Sequence, residues 1–330
     1  MSDLSRRVLT AGSAGGLLGT LASPALALTQ PSLRGRDGWL FFYWDDPVRM
    51  EIGPTVARVT GLLKEATELL QAKNIRVGFA VVPSKSRVYR DMLPPGHPFP
   101  ADAEQRYATI LAGLRQFCPL VPDLVAAMAA HRKARPGDQL FFKADTHWTP
   151  DGAAVAAAEV ARQVQAANIL AASRTPGIRL AAPVIETRMR RDLVEFLPAS
   201  ERAAHPPERF SIRRPQASGG RGALLDEAIS DVAVVGPSFM APEFNFHVEL
   251  SAAMNRPVAL HWRTQATGPF ETLLEYLRSP TFQRERPKFL LISVLESAMG
   301  INPEHRGAYP MSNMSGAAFV AGVRQAVAHL

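Results

Sequence analysis

Short apolar runs alternate along the chain with segments in which apolar residues recur at helical spacing. The apolar runs are typical of buried strands and lie at 75–82, 120–124, 231–235, 258–262 and 289–295. The helical segments lie at 56–73, 101–116, 150–167, 242–254, 270–278 and 316–330. Strands that alternate with helices predict an α/β fold of three layers, in which helices cover both faces of a mainly parallel sheet.

The segment 171–222 breaks this rhythm, because it is rich in Pro, Arg and Gly and has little periodicity. We interpret it as a loop-rich insertion or long loop region rather than as a separate domain. Hydrophobic residues make up 47% of the chain, which is enough for one large core. We therefore expect a single domain over 28–330.

The N-terminus has the features of a twin-arginine export signal. Arg6 and Arg7 precede a short apolar run that ends in the small-residue cleavage motif Ala25-Leu26-Ala27. The run is too short and too rich in Gly to form a permanent membrane helix. We expect residues 1–27 to be removed, and the mature protein to be soluble in the periplasm.

The surface charge suits an anionic partner. The formal net charge is +7 and comes mainly from arginine, with clusters at 132–135, 188–191 and 213–214. Such a surface would attract an acidic polysaccharide or the membrane surface. Nucleic acid is not an expected partner for an exported protein.

The start of the helix predicted from Pro150 carries the first sign of chemistry. Thr149 is placed to cap this helix, and Pro150 fits its first position. Just upstream, Asp145 precedes His147 by two residues, where a strand-like run gives way to the helix. A carboxylate this close can fix the tautomer and orientation of an imidazole, which is half of a nucleophilic triad.

Ser238 is the candidate for the other half. It follows the strand predicted at 231–235, on the turn Gly236-Pro237-Ser238, and active sites of open α/β sheets lie at the carboxyl ends of strands. His147 would accept the serine proton, and Asp145 would bind the other ring nitrogen. Backbone N–H groups at or after Ser238 would stabilise an oxyanion, but Pro237 has no N–H to contribute.

Other roles are open for these residues. Ser238 could be a helix N-cap, and Asp145 could serve as a structural cap. A metal site made of Asp145, His147 and Asp151 is conceivable, although it offers few ligands. His247, nine residues after Ser238, is a rival base.

The order of four motifs resembles the alginate O-acetyltransferase AlgX/AlgJ-type family. The motifs are Asp-Gly-Trp-Leu-Phe at 37–41, Val-Pro-Ser-Lys at 82–85, Asp-Thr-His-Trp-Thr-Pro at 145–150, and Gly-x-Ser at 236–238. The resemblance implies an SGNH-hydrolase-like fold in circularly permuted order, with the Asp-x-His element before the serine. It implies Ser238 as nucleophile, His147 as general base and Asp145 as the residue that orients the base. Pro237 and Met240 depart from the family pattern beside the serine. The resemblance therefore does not establish the geometry of this turn or of the oxyanion hole.

The resemblance also implies acetyl transfer to hydroxyl groups of an exopolysaccharide, without a metal or another cofactor. A membrane-bound protein would supply the acetyl group, and the polysaccharide would be the acceptor. The predicted substrate contacts are the side chains Lys85, Tyr89, Trp148 and Asn245. Two alternatives are an esterase or deacetylase with the same residues, and a non-catalytic polysaccharide-binding component of an export complex.

Overall fold

The computed structural model describes residues 32–50, 52–216 and 230–330. The export signal predicted at 1–27 lies outside the described residues. Within the described ranges, no helix is both long enough and apolar enough to cross a membrane.

The described residues form strands and helices that alternate along most of the chain. The strands are β1 (Ser32–Arg34), β2 (Leu40–Phe42), β3 (Arg76–Val82), β4 (Val184–Arg188), β5 (Glu208–Ile212), β6 (Val232–Gly236), β7 (Ala259–Trp262) and β8 (Phe289–Leu295). The helices are α1 (Pro54–Gln71), α2 (Lys85–Val88), α3 (Ala101–Arg115), α4 (Leu124–Ala134), α5 (Pro150–Ala166), α6 (Phe246–Met254), α7 (Gly268–Arg278), α8 (Pro280–Arg284) and α9 (Gly316–Val327).

A four-stranded parallel sheet lies at the centre, in the order β3-β8-β6-β7. Its two middle strands are buried almost throughout, which explains why their sequences are continuous apolar runs. Helices α1, α7 and α9 pack together as one layer, and α4, α5 and α6 pack together as another. The predicted three-layer α/β fold with a mainly parallel sheet is therefore confirmed.

The strand predicted at 120–124 is wrong. Its residues run beside the sheet, and the N–H of Phe79 donates one hydrogen bond to the carbonyl of Leu120 at 2.9 Å. Pro122 has no N–H with which to continue a ladder. The side chain of Asp123 then accepts from the N–H of Ala126 at 2.9 Å, so that helix α4 begins at Leu124 instead.

The described part of the loop-rich segment contains a second, two-stranded sheet. Strands β4 and β5 pair antiparallel, and Phe210 of β5 packs edge-on against Phe142 at 5.4 Å between ring centroids. The last residue of β4, Arg188, is thereby placed next to Asp145. This segment contributes directly to the region around His147.

The carboxyl ends of the parallel strands meet at one edge of the central sheet. The chain leaves β6 at Gly236, where a Cβ atom would lie 2.7 Å from the Cβ of Ser293 and 2.9 Å from the Cγ of Met240. Only glycine fits such a close approach without displacing its neighbours. Ser238 follows directly in a short 3₁₀ turn, Ser238–Met240, at this edge.

Candidate active site

The 3₁₀ turn that carries Ser238 is fixed by a buried tryptophan. The indole Nε1 of Trp148 donates to the carbonyl of Phe239 at 2.9 Å, and its ring stacks on Phe246. Trp148 is fully buried, so this bond is shielded from water. Trp148, the residue after His147, therefore holds the turn that carries Ser238 next to the imidazole.

Ser238, His147 and Asp145 form an unbroken chain of hydrogen bonds. The Ser238 Oγ lies 2.8 Å from His147 Nε2, and His147 Nδ1 lies 2.7 Å from Asp145 Oδ1. The same carboxylate oxygen accepts from the backbone N–H of His147 at 3.0 Å. An ionised Asp145 can only accept, so Nδ1 carries the proton and Nε2 is free to accept from the serine hydroxyl.

The imidazole is also held by packing. Its ring stacks on Phe244, with ring centroids 4.5 Å apart and an angle of 17° between the planes. Phe239 lies against it at 4.8 Å. These contacts fix the ring rotation that the hydrogen bonds require.

Arg188 stabilises the ionised form of Asp145. Its Nε donates to Asp145 Oδ2 at 2.8 Å, and its guanidinium also reaches Glu243. Burial alone would raise the pKa of Asp145, but the hydrogen bond and charge of His147 together with the charge of Arg188 lower it well below the usual range. Asp145 is therefore a permanent anion at any pH near neutrality.

A second carboxylate, Asp192, approaches the same imidazole. Its Oδ2 lies 3.6 Å from His147 Nδ1, and its Oδ1 accepts from the backbone N–H of Thr146 at 2.8 Å. Burial and the charge of Asp145 raise the pKa of Asp192. The distance makes Asp145 the hydrogen-bond partner of the imidazole and leaves Asp192 as a neighbour.

The carboxylates around His147 do not fit a metal ion. Ligand atoms of Asp145, His147 and Asp192 lie within 4.8 Å of one another. Both oxygens of Asp145 are already engaged, by His147 and by the guanidinium of Arg188, whose positive charge opposes a bound cation. The third ligand considered from the sequence, Asp151, instead lines a surface cavity between α5 and β5.

His247 does not meet the serine hydroxyl, which His147 occupies. Its Nδ1 is buried without a hydrogen-bond partner among the described residues, and burial lowers its pKa. His247 is therefore a structural residue of helix α6.

The side chains predicted to touch substrate lie in the interior and have partners there. Tyr89 Oη accepts from the N–H of Leu140 at 2.8 Å, and its ring stacks on Trp39. Asn245 adopts a left-handed backbone conformation, with φ 68°, and its amide donates to the carbonyl of Arg213 at 2.9 Å. Together with Trp148 these residues organise the loops around Ser238.

Lys85 is also buried, and its ammonium group ties three backbone segments together. Its Nζ donates to the carbonyls of Leu40, Lys143 and Asp145, at 2.6, 2.8 and 3.0 Å. Burial lowers its pKa to about 8, against the opposing effect of nearby carboxylates such as Glu208. Lys85 is the first residue of helix α2, and its side chain extends inward to these carbonyls.

The Lys85→Met variant is therefore expected to lose about 3 kcal/mol of unfolding free energy, because buried carbonyls lose their charged donor. Urea unfolding followed by circular dichroism would measure the change. Lys64→Met is the matched control, since Lys64 is exposed and forms only an i,i+4 pair with Glu68. Full stability of Lys85→Met with a raised KM for substrate would contradict this structural role.

A small cavity opens beside the Ser238 hydroxyl. Its volume is about 60 Å³. The lining residues come from the ends of β2, β3, β6 and β8 and from nearby loops, and they are Phe42, Trp44, Asp45, Val82, Pro83, Ser84, Thr146, Ser238, Phe239, Gln265, Leu295, Glu296 and Ser297. Two carboxyl groups in this lining, Asp45 and Glu296, are absent from the sequence prediction.

Comparison with known proteins agrees with the fold. Residues 33–294 match the family described as SGNH hydrolase-like domain, acetyltransferase AlgX. The probable alginate O-acetylase AlgJ of Pseudomonas putida KT2440 is 30% identical over 268 residues, which cover 78% of this chain and 67% of that protein. AlgJ of Pseudomonas aeruginosa PAO1 is 27% identical over 276 residues, with the same coverage of both chains.

Solved structures give the same assignment. The O-acetyltransferase domain of Pseudomonas putida AlgJ superimposes with a TM-score of 0.69 at 26% identity, covering 89% of this chain and 98% of that one. Pseudomonas aeruginosa AlgX shares the fold, with a TM-score of 0.62 at 20% identity over 90% of this chain and 66% of that one. The chain belongs to the AlgX family of SGNH hydrolase-like domains and is an O-acetyltransferase of that type.

Proposed function

We propose that this O-acetyltransferase acts outside the cytoplasm and uses Ser238, His147 and Asp145 to move acetyl groups onto hydroxyls of an alginate-like exopolysaccharide. The observation that carries the proposal is the continuous hydrogen-bonded chain from the Ser238 hydroxyl to the buried Asp145 carboxylate. The AlgJ relatives are named probable alginate O-acetylases, which supports an alginate-like polysaccharide as the acetyl acceptor.

In the first half-reaction the serine is acetylated. His147 Nε2 takes the hydroxyl proton while Ser238 Oγ attacks the carbonyl carbon of the acetyl donor. The tetrahedral intermediate collapses with cleavage of the bond between that carbon and the leaving atom, which receives the proton from the imidazolium. Asp145 stabilises the transient positive charge on the imidazole.

Backbone N–H groups of the 3₁₀ turn are the candidates for oxyanion stabilisation. The first N–H groups of such a turn, those of Ser238 and Phe239, have no carbonyl partner inside the turn. Pro237 precedes them and adds no donor. The departure from the family pattern beside the serine therefore leaves these two donors in place.

In the second half-reaction a sugar hydroxyl attacks the acetyl-serine. His147 removes the hydroxyl proton as the new ester bond forms, and it returns this proton to Ser238 Oγ as the serine leaves. The scheme uses no metal or cofactor. A cavity of about 60 Å³ suits an acyl group as short as acetyl.

The charge of the chain and its N-terminal motif support the setting of this reaction. A formal net charge of +7 favours an acidic polysaccharide over a neutral one. Twin-arginine export would place the enzyme in the periplasm, where a membrane-bound protein must supply the acetyl group.

The proposal is tested by comparing transfer with hydrolysis. The purified protein is incubated with 4-nitrophenyl acetate and either alginate oligosaccharides or neutral manno-oligosaccharides, and acetylated sugar and free acetate are quantified by mass spectrometry. We expect acetylated alginate oligosaccharides in excess of the neutral product. Release of acetate without any sugar ester would show an esterase, and absence of both products would show a non-catalytic protein.

A further inference from the structure

The segment that follows β2 places an aromatic ring and a carboxyl group next to Ser238. Phe42, Trp44 and Asp45 line the same cavity as Ser238. The proposed mechanism uses none of them. Polar groups convergent on an otherwise apolar cavity are the usual means of orienting a bound ligand.

The Asp45 carboxyl group retains hydrogen-bonding capacity, in contrast to the other carboxyl group of the cavity. Glu296 binds Arg87 through both oxygens and also accepts from the N–H of Ser84 at 3.0 Å. Asp45 receives hydrogen bonds from the Ser84 hydroxyl and the Lys85 backbone, and a carboxylate offers about four acceptor positions.

The surroundings of Asp45 disfavour its ionised form, which a purely structural residue would not require. Burial raises its pKa to about 7, with a further contribution from the charge of Glu296 and an opposing one from Lys85. The ammonium group of Lys85 is committed to backbone carbonyls and does not form a salt bridge with Asp45. Groups whose pKa is shifted by burial and by neighbouring charges cluster at functional sites.

The chemistry of the reaction decides which substrate Asp45 suits. An acetyl group has only an acceptor oxygen, which becomes negatively charged in the tetrahedral intermediate. Above the pKa of about 7 Asp45 is a carboxylate, which neither donates to that oxygen nor stabilises its charge. A sugar acceptor, in contrast, has several hydroxyl donors around the one that reacts.

The aromatic side chains complete a surface for a sugar ring. Trp44 is half-buried and is held by Tyr43 and His305, whose rings lie nearly perpendicular to it at 5.0 and 6.1 Å. Phe42 packs against Phe196, which is 44% exposed. Aromatic rings with an apolar face complement the C–H side of a pyranose, while a carboxylate binds its hydroxyls.

We propose that Phe42, Trp44 and Asp45 form the acceptor subsite, in which Asp45 accepts hydrogen bonds from sugar hydroxyls flanking the one that is acetylated. The acetyl group of acetyl-Ser238 occupies the cavity of about 60 Å³, and the sugar ring lies at its partly exposed edge, packed against Trp44. The proposal rests on the acetyl transfer described under the proposed function. It makes Asp45 the residue that directs the acetyl group to sugar instead of water.

The test is the partition of the acetyl-enzyme between alginate oligosaccharides and water, with 4-nitrophenyl acetate as donor. Asp45→Ala is expected to lower kcat/KM for transfer by about tenfold or more, the effect of losing a hydrogen bond to a charged group. Acetate release without sugar should fall much less. Asp46→Asn is the matched control, because Asp46 binds His97 and the N–H of Val48 and does not line the cavity.

A second pair of variants tests the contact between Trp44 and the sugar ring. Trp44→Ala should raise KM for the oligosaccharide, and Trp44→Phe should recover most of the affinity, because a ring surface is restored. Thermal unfolding of each variant separates a binding defect from a folding defect.

The outcomes are distinct for the two proposals. Equal loss of transfer and hydrolysis in folded Asp45→Ala, or an unchanged partition, would overturn the acceptor subsite while leaving acetyl transfer intact. Wild-type protein that releases acetate but acetylates no oligosaccharide would overturn the proposed function itself, and the subsite with it.

Discussion

Replacing Ser238 with alanine is expected to lower the rates of acetyl transfer and acetate release by about 10⁴-fold or more, the scale of losses on removal of a catalytic nucleophile. The reason is chemical, since alanine provides no oxygen to accept the acetyl group and His147 has no proton to remove. The hydroxyl lies at the surface of a small cavity and contributes one hydrogen bond to the fold, so stability should change little.

Intact-mass spectrometry after mixing with 4-nitrophenyl acetate would detect the acetyl-enzyme directly. An added mass of one acetyl group should appear on the wild type and be absent from Ser238→Ala. Ser293→Ala is the matched control, because Ser293 is buried beside Gly236 and its hydroxyl has no hydrogen-bond partner among the described residues. An acetylated Ser238→Ala protein, or full activity of this variant, would place the nucleophile elsewhere.

The sequence predicts those parts of the fold in which burial requires a regular pattern of apolar residues. Strand β8 is a continuous apolar run because it is buried on both faces between β3 and β6. The positions of Ser238 and His147 follow from strand and helix ends in the same way. Their contact across 91 residues of chain required the structure, or the resemblance to a family.

The sequence does not show which way a side chain points, because the direction of a side chain is a tertiary property. Lys85 begins helix α2 and Tyr89 follows it, and backbone groups inside the protein bind the polar ends of both side chains. Their contact with substrate stays a prediction. Arg188 and Asp192 were not predicted as residues of the site. They lie in a segment without periodicity, and only the pairing of β4 with β5 brings that segment to His147.

The second large effect concerns the carboxylate that orients the imidazole. Asp145→Asn is expected to lower kcat by about 10³- to 10⁴-fold, because an amide in place of the carboxylate does not fix the Nδ1–H tautomer or stabilise the imidazolium. The carboxylate of Asp145 lies 2.7 Å from Nδ1 and is held ionised by Arg188. Its loss also leaves that guanidinium with Glu243 as its one acidic partner among the described residues.

Asp192→Asn is the matched control for this prediction, since it makes the same replacement of one oxygen by an NH2 group in the other carboxylate near that ring nitrogen. The Asp192 oxygen lies 3.6 Å from Nδ1, and an asparagine retains an acceptor for the N–H of Thr146. We expect less than about a tenfold loss in kcat, the effect of one neighbouring charge. Steady-state kinetics with 4-nitrophenyl acetate, together with thermal unfolding, would compare the two variants. If Asp192→Asn were as damaging as Asp145→Asn while both remained folded, the two carboxylates would share the role, and the assignment of Asp145 alone would be wrong.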